Sequence, residues 1–155
     1  MAVKPIPDQY HSVTPYLIVK GAASALDFYK RAFGAEETTR MENKGTVIHA
    51  EIRIGNSVVM LADEFPTMGH KSPQQLGGTP VTLMVYVENA DQTFARAIAA
   101  GATETRPLTN EFYGDRAGSL KDPFGHQWMI ATHVEDVAPD EMERRFRDAV
   151  KGMGL

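Results

Sequence analysis

The sequence has no cysteine, which removes disulfides, thiolate metal ligands, iron–sulfur clusters and a thiol nucleophile at a stroke. No apolar run approaches the roughly 18 residues a membrane span requires, and the opening segment MAVKPIPDQYHS lacks the apolar stretch of a secretion signal. Positive charge is not in excess either. There are 16 Lys and Arg against 20 Asp and Glu, a formal net charge of −4, with the basic residues dispersed. Nucleic acid and anionic membrane are therefore not expected partners, since both call for a basic patch. There is no G-x-S-x-G elbow and no H-E-x-x-H helix, and Gly77-Gly78 precedes no helix N-terminus that would make it a phosphate loop. What remains is ordinary globular composition, 43% hydrophobic and 23% charged, and the expectation is a soluble cytoplasmic protein.

Along the chain, Pro5, Pro7 and Pro15 predict an irregular opening. A β-branched and aromatic run, Val13 to Val19, reads as a strand stopped by Lys20-Gly21. From Ala22 to Phe33 the apolar residues Ala25, Leu26, Tyr29, Ala32 and Phe33 fall at helical spacing, with Gly34 as C-cap. Strands follow at 37–42, 47–54 and 57–62, with turns at Gly45 and Gly55-Asn56. Residues 63–80 carry Pro66, Gly69, Pro73, Gly77, Gly78 and Pro80 without periodicity and read as a linker. The order then repeats: a strand at 81–87, a helix at 90–100 closed by Gly101, and strands near 104–108, 117–121 and 127–133.

The repeat is also visible in letters. FYKRAFGAEETTR (28–40) parallels FARAIAAGATETR (94–106), and GNSVVMLA (55–62) parallels GHQWMIAT (125–132). The tail from Pro139 to Val150 reads as an amphipathic helix. It carries Asp140 and Glu141 early and Arg144, Arg145 and Arg147 late, and Met142, Phe146 and Val150 form its apolar stripe.

This duplicated βαβββ order, with the strings TPYLIVKGAASALDFYKRAFGAE, HAEIRIGNSVVMLADE and FYGDRAGSLKDPFGHQWMIAT, resembles the vicinal oxygen chelate superfamily of glyoxalase I, bleomycin-resistance proteins and extradiol dioxygenases. The strings look most like its PhnB-like branch. The resemblance implies an α+β fold of two βαβββ modules forming a cupped mixed β-sheet, with a C-terminal helix. On this reading residues 1–155 are a single domain: module one at about 10–64, a linker at about 65–79, module two at about 80–134 and the helix at about 138–151. DPFGHQW (122–128) is the most specific string, although turn chemistry alone accounts for Asp122, Pro123 and Gly125.

Metal-dependent members of the family draw one His or Gln from the first strand and one Glu from the fourth strand of each module. The corresponding positions here are read as Thr14, Val59, Thr82 and Met129, and moving the fourth-strand reading by one gives Met60 and Ile130. None of these sets binds a hard divalent cation. No cofactor is therefore expected, with a non-standard divalent metal site left open.

Strand alternation sends Ile48, Ala50, Ile52 and Ile54 to the helix side and His49, Glu51 and Arg53 into the cup. Thr14, Tyr16 and Ile18 should also face inward, as should Thr82, Met84, Tyr86, Met129, Ala131 and His133. The expected ligand-contacting set is Thr14, Tyr16, His49, Glu51, Thr82, Tyr86, Tyr113, Arg116, Met129 and His133. Tyr113 and Arg116 belong to a loop that could close over a ligand, with Arg116 forking a carboxylate or phosphonate. His49 and Glu51 are the candidate acid–base pair; the competing reading makes them a polar cross-strand pair. Trp128 reads as core.

Two functions compete. One is a bleomycin-resistance-like protein that binds a small molecule in the cup without the usual metal, its acidic charge favouring a cationic or neutral ligand. The other is an enzyme of lyase, isomerase or dioxygenase type using His49 and Glu51, with or without a non-standard divalent metal site. The resemblance implies a homodimer, and the sequence leaves open whether cups form within or between chains.

Overall fold

The computed structural model describes residues 2–155. Strand β1 (Tyr16–Val19) begins later than its apolar run suggests. Pro15 has no N–H to give a ladder, and Thr14 turns its hydroxyl back onto the His11 carbonyl at 3.2 Å. Helix α1 (Ala22–Phe33) occupies the expected residues and ends at Gly34, whose left-handed φ of 66° lets its N–H reach the Lys30 carbonyl.

Strands β2 (Glu36–Asn43), β3 (Thr46–Ile54) and β4 (Ser57–Asp63) complete a sheet of order β1-β4-β3-β2, with β1 parallel to β4 and the other pairs antiparallel. Asp63 ties this module together. Its Oδ1 accepts the N–H groups of Gly21 and Ala22 at 3.1 and 2.7 Å, which caps α1, and its Oδ2 accepts that of Val47 at 2.8 Å.

The connecting segment is more ordered than its composition implies. A 3₁₀ turn spans Pro66–Met68, and a single-turn helix α2 (Pro73–Leu76) is capped by Ser72. Ser72 is fully buried and donates to Glu64 at 2.6 Å.

The second module then repeats the first with β5 (Thr82–Tyr86), α3 (Ala90–Ala100), β6 (Thr103–Asn110), β7 (Asp115–Lys121) and β8 (Gln127–His133) in the order β5-β8-β7-β6. Thr132 does here what Asp63 does in module one. Its hydroxyl accepts from the Ala90 N–H and donates to the Val87 carbonyl, both at 2.8 Å. The expected α+β architecture of two mixed four-stranded sheets is what the chain forms. Helix α4 (Pro139–Lys151) follows and is held by Arg145, which donates to Glu135 and to the Phe112 carbonyl. Among the described residues no helix is long and apolar enough to cross a membrane.

One core serves both modules. Leu17, Val19, Ile52 and Leu61 from the first sheet and Leu120, Trp128 and Ile130 from the second join Leu26, Phe28, Tyr29 and Phe94 of the helices. Each such side chain contributes roughly 1.5–3 kcal/mol by burial.

The DPFG turn is the joint between the modules. The buried carboxylate of Asp122 accepts the N–H groups of Phe124 and His126 at 2.9 and 3.0 Å, the indole N–H of Trp128 at 2.9 Å, and the phenol of Tyr29 on α1 at 2.6 Å. Turn chemistry explains two of those donors. The other two tie the helix of one module to the last strand of the other.

Candidate functional site

Each sheet has a face packed on the helices and an open face. On β1 the packed residues are Leu17 and Val19; on β4, Val59 and Leu61; on β8, Trp128 and Ile130. The intervening residues Tyr16, Met60 and Met129 therefore belong to the open faces. This corrects the position read from the letters. Val59 lies in the core, only 5% exposed, and the open-face residue of the fourth strand is Met60. The register makes the same point: Tyr16 pairs with Met60 as Met84 pairs with Met129. Ile48 departs from its expected place too, being 52% exposed where burial beneath the helix was expected.

On the open face of module one, four side chains from three segments form a continuous chain of hydrogen bonds. Tyr16 Oη lies 2.8 Å from His49 Nδ1, His49 Nε2 lies 2.8 Å from Glu51 Oε2, and Tyr10 donates to Glu51 Oε1 at 2.5 Å. Burial alone would raise the Glu51 carboxyl, but the hydrogen bonds from Tyr10 and His49 outweigh it and hold it below the ordinary carboxylate range. An ionised carboxylate only accepts, so Nε2 of His49 carries the proton. In the neutral ring Nδ1 is then the acceptor for the Tyr16 phenol. Burial, followed by the Glu51 charge, raises the Tyr16 phenol above its usual value, so it stays protonated. Tyr10 could not have been anticipated: it sits in the proline-punctuated opening segment, 41 residues from its partner.

Module two carries a different network. Tyr86 donates to Asp115 Oδ2 at 2.7 Å, and His133 lies with Nδ1 2.8 Å from Asp115 Oδ1 and Nε2 2.7 Å from Asp136. Those two carboxylates, Asp115 foremost, raise the His133 imidazole above its usual value. Asp115 opens β7 two residues before the strand start expected from sequence, which is why it was read as a turn residue.

The same change of start moves Arg116 to the packed face, where it forks Asp91 of α3 at 2.7 and 2.8 Å. It is not free to meet an anion in the cup. Tyr113 stands edge-on to Phe112 in the turn before β7. Thr14 lies ahead of β1, bonded to His11, and Thr82 begins β5, exposed at the sheet edge. Of the ten expected contact residues, the structure thus gathers Tyr16, His49 and Glu51 on one face and Thr82, Tyr86, Met129 and His133 on another.

Across the open faces Tyr16 pairs with Met60 and Met84 with Met129, while Thr14 and Thr82, read as the first-strand metal positions, stand just ahead of β1 and at the start of β5. A phenol and three thioethers do not fit a hard divalent cation. Among the described residues no three His, Asp or Glu side chains are grouped so as to hold one elsewhere.

A cleft of about 1120 Å³ runs between β5 and the start of β4 over Phe33 and Trp128, and neither His49 nor Glu51 lines it. It is flanked by two strands, β1 and β5, that each pair on one side only.

Comparison with known proteins agrees with this architecture. Residues 9–130 match the model of the Glyoxalase/Bleomycin resistance protein/Dioxygenase superfamily. The chain is 46% identical over 136 residues to the uncharacterized protein Rv0887c of Mycobacterium tuberculosis, covering 85% of this chain and 80% of that one. Among solved structures, TioX from Micromonospora sp. ML1 superposes with a TM-score of 0.64 at 28% identity, over 80% of this chain and 99% of that one. A glyoxalase/bleomycin resistance protein/dioxygenase family enzyme from Burkholderia phytofirmans PsJN gives a TM-score of 0.63 at 19% identity, over 78% and 97% of the two chains, a likeness of fold alone. The chain belongs to the glyoxalase/bleomycin resistance protein/dioxygenase superfamily.

Proposed function

We propose that the protein is a bleomycin-resistance-type, PhnB-like member that binds a small molecule on its open faces without a metal or other cofactor. The observation that carries this reading is the donor set at the sheet centres. Tyr16, Met60, Met84 and Met129 pair across the open faces and, with Thr14 and Thr82 beside them, offer no hard ligand set, whereas soft, polarisable side chains of this kind suit a flat apolar body.

The polar groups beside them are acidic: Glu51 in one module and Asp115 in the other, both buried. Arg116 is already engaged by Asp91. The ligand is therefore neutral or cationic, and an anionic carboxylate or phosphonate is disfavoured. A second reading, an enzyme using His49 and Glu51, is favoured by the hydrogen-bond chain that joins them to Tyr16.

Each cup is completed in a cytoplasmic homodimer, the open face of module one closing against that of module two of the partner. The free edges of β1 and β5 support this, as do the exposed side chains beside them, Tyr16 at 47%, Met84 at 43% and Tyr86 at 60%. The test is elemental analysis of tag-free protein together with a thermal-shift screen of flat neutral, cationic and anionic aromatic compounds. Neutral or cationic compounds should stabilise metal-free protein. Stoichiometric bound metal, or stabilisation by anions alone, would overturn the reading.

A further inference from the structure

The chain Tyr16–His49–Glu51–Tyr10 is more elaborate than binding requires. Only its first member, half-exposed on the edge strand, is open to a ligand. His49 is 22% and Glu51 12% exposed at the side chain, and both Glu51 oxygens are already occupied. A histidine placed merely to hydrogen-bond a ligand would not present both ring nitrogens to protein groups. One placed to receive a proton through a phenol would.

We infer that Tyr16 is the group this site presents to its ligand as proton acceptor and donor, with His49 the proton store behind it and Glu51 the counter-ion that fixes His49. The inference rests on the open face of module one being the ligand site.

The step balances without a co-reactant. A C–H or O–H bond of the substrate breaks, and its proton is taken by Tyr16 Oη. As that O–H forms, the original phenol proton passes along the 2.8 Å hydrogen bond to His49 Nδ1. The electron pair stays on the substrate. His49 becomes an imidazolium whose Nε2–H already points at the Glu51 carboxylate, 2.8 Å away, so the new positive charge forms against a preformed hydrogen bond to an anion. Reversal of the relay onto a different atom of the same substrate completes a proton-shift isomerisation. Tyr10, held on the other Glu51 oxygen, keeps that carboxylate from swinging away from the histidine. Neutral, flat substrates with an acidified proton are the class that fits, because an anion would meet Glu51. Tyr16 touches the substrate, while His49 and Glu51 act through it.

A flat, neutral probe that needs only a base tests this directly. In nitrobenzisoxazole, removal of the ring C–H proton breaks the N–O bond and releases a coloured cyano-nitrophenolate, with no metal or oxidant involved. Wild-type protein in chelator should accelerate the reaction by about 10²-fold over an equal concentration of imidazole. Tyr16→Phe should lose roughly tenfold or more of that while still binding the probe. His49→Ala should lose as much and regain turnover when free imidazole is added, a rescue that a structural role would not show.

If Tyr16→Phe keeps or gains rate, His49 acts directly and the relay is wrong. If the wild-type chain binds the probe, seen by thermal shift, but does not accelerate its reaction, the relay falls and the binding reading stands. If it neither binds nor reacts, both fall.

Discussion

The phenol of Tyr29, on the helix of the first module, donates to the carboxylate of Asp122, in the last turn of the second, across 2.6 Å and 93 residues of sequence. Because the same carboxylate also holds the Trp128 indole and two backbone N–H groups, it fixes how the modules meet. Asp122→Ala strands four donors in the core and should cost about 3–4 kcal/mol, while Tyr29→Phe removes one bond and should cost about 1–2 kcal/mol. Trp128, the sole tryptophan, reports both in a urea titration followed by fluorescence.

The pair also has a pH signature. Burial first, and the neighbouring Asp122 second, raise the Tyr29 phenol well above its ordinary value. A phenol whose folded pKa is raised stabilises the fold fully below its unfolded pKa, near 10, and progressively less as pH rises beyond it. Stability should therefore decline from about pH 10 upward, and Tyr29→Phe should flatten that decline while lying lower throughout the neutral range. Equilibrium unfolding at a series of alkaline pH values checks this.

His133 offers a second titration. Held by Asp115 and then Asp136, its imidazole should keep its proton above the ordinary histidine value near 6.5. Its contribution to stability is present at acidic pH and is lost as pH rises through that elevated pKa. Asp136→Asn should move the imidazole titration seen by NMR to lower pH.

Two glycines mark close approaches that constrain the fold around the second module. A Cβ on Gly114, at φ 102°, would run into the Glu135 carbonyl; one on Gly125, at φ 94°, would sit 2.8 Å from the Pro73 ring of α2. Alanine at either position combines backbone strain with collision and should cost about 1–3 kcal/mol. Thermal unfolding should show Gly114→Ala as the more damaging, because its obstacle is backbone.

Much of this was legible in the sequence. Helices α1 and α3 stand on the expected residues because glycine closes each, at Gly34 and Gly101, after an unbroken apolar stripe. The repeat also predicted two matching modules. Its letters align one residue out of step in the fourth strand, since β3 and β4 meet at Ile54–Ser57 while β7 and β8 meet at Lys121–Gln127 across a longer turn. That single residue separates Val59 in the core from Met60 on the open face. In β7 the strand begins at Asp115, so Asp115 falls on the open face and Arg116 opposite, the reverse of what a turn at 112–116 suggests. His49 and Glu51 were visible through alternation alone. Tyr10 was not, because its contact depends on how an irregular segment lies across a sheet.

The account turns on the open face of module one being where ligand binds, without metal. It is read most directly from methyl-labelled methionine NMR spectra of chelator-treated protein titrated with nitrobenzisoxazole. Met60 lies opposite Tyr16 and Met41 opposite His49, whereas Met68 and Met153 belong to neither sheet. The account predicts shifts at Met60 and Met41, and none at Met68 or Met153. Unmoved Met60 and Met41 signals, or shifts that appear only when a divalent metal is restored, would contradict it.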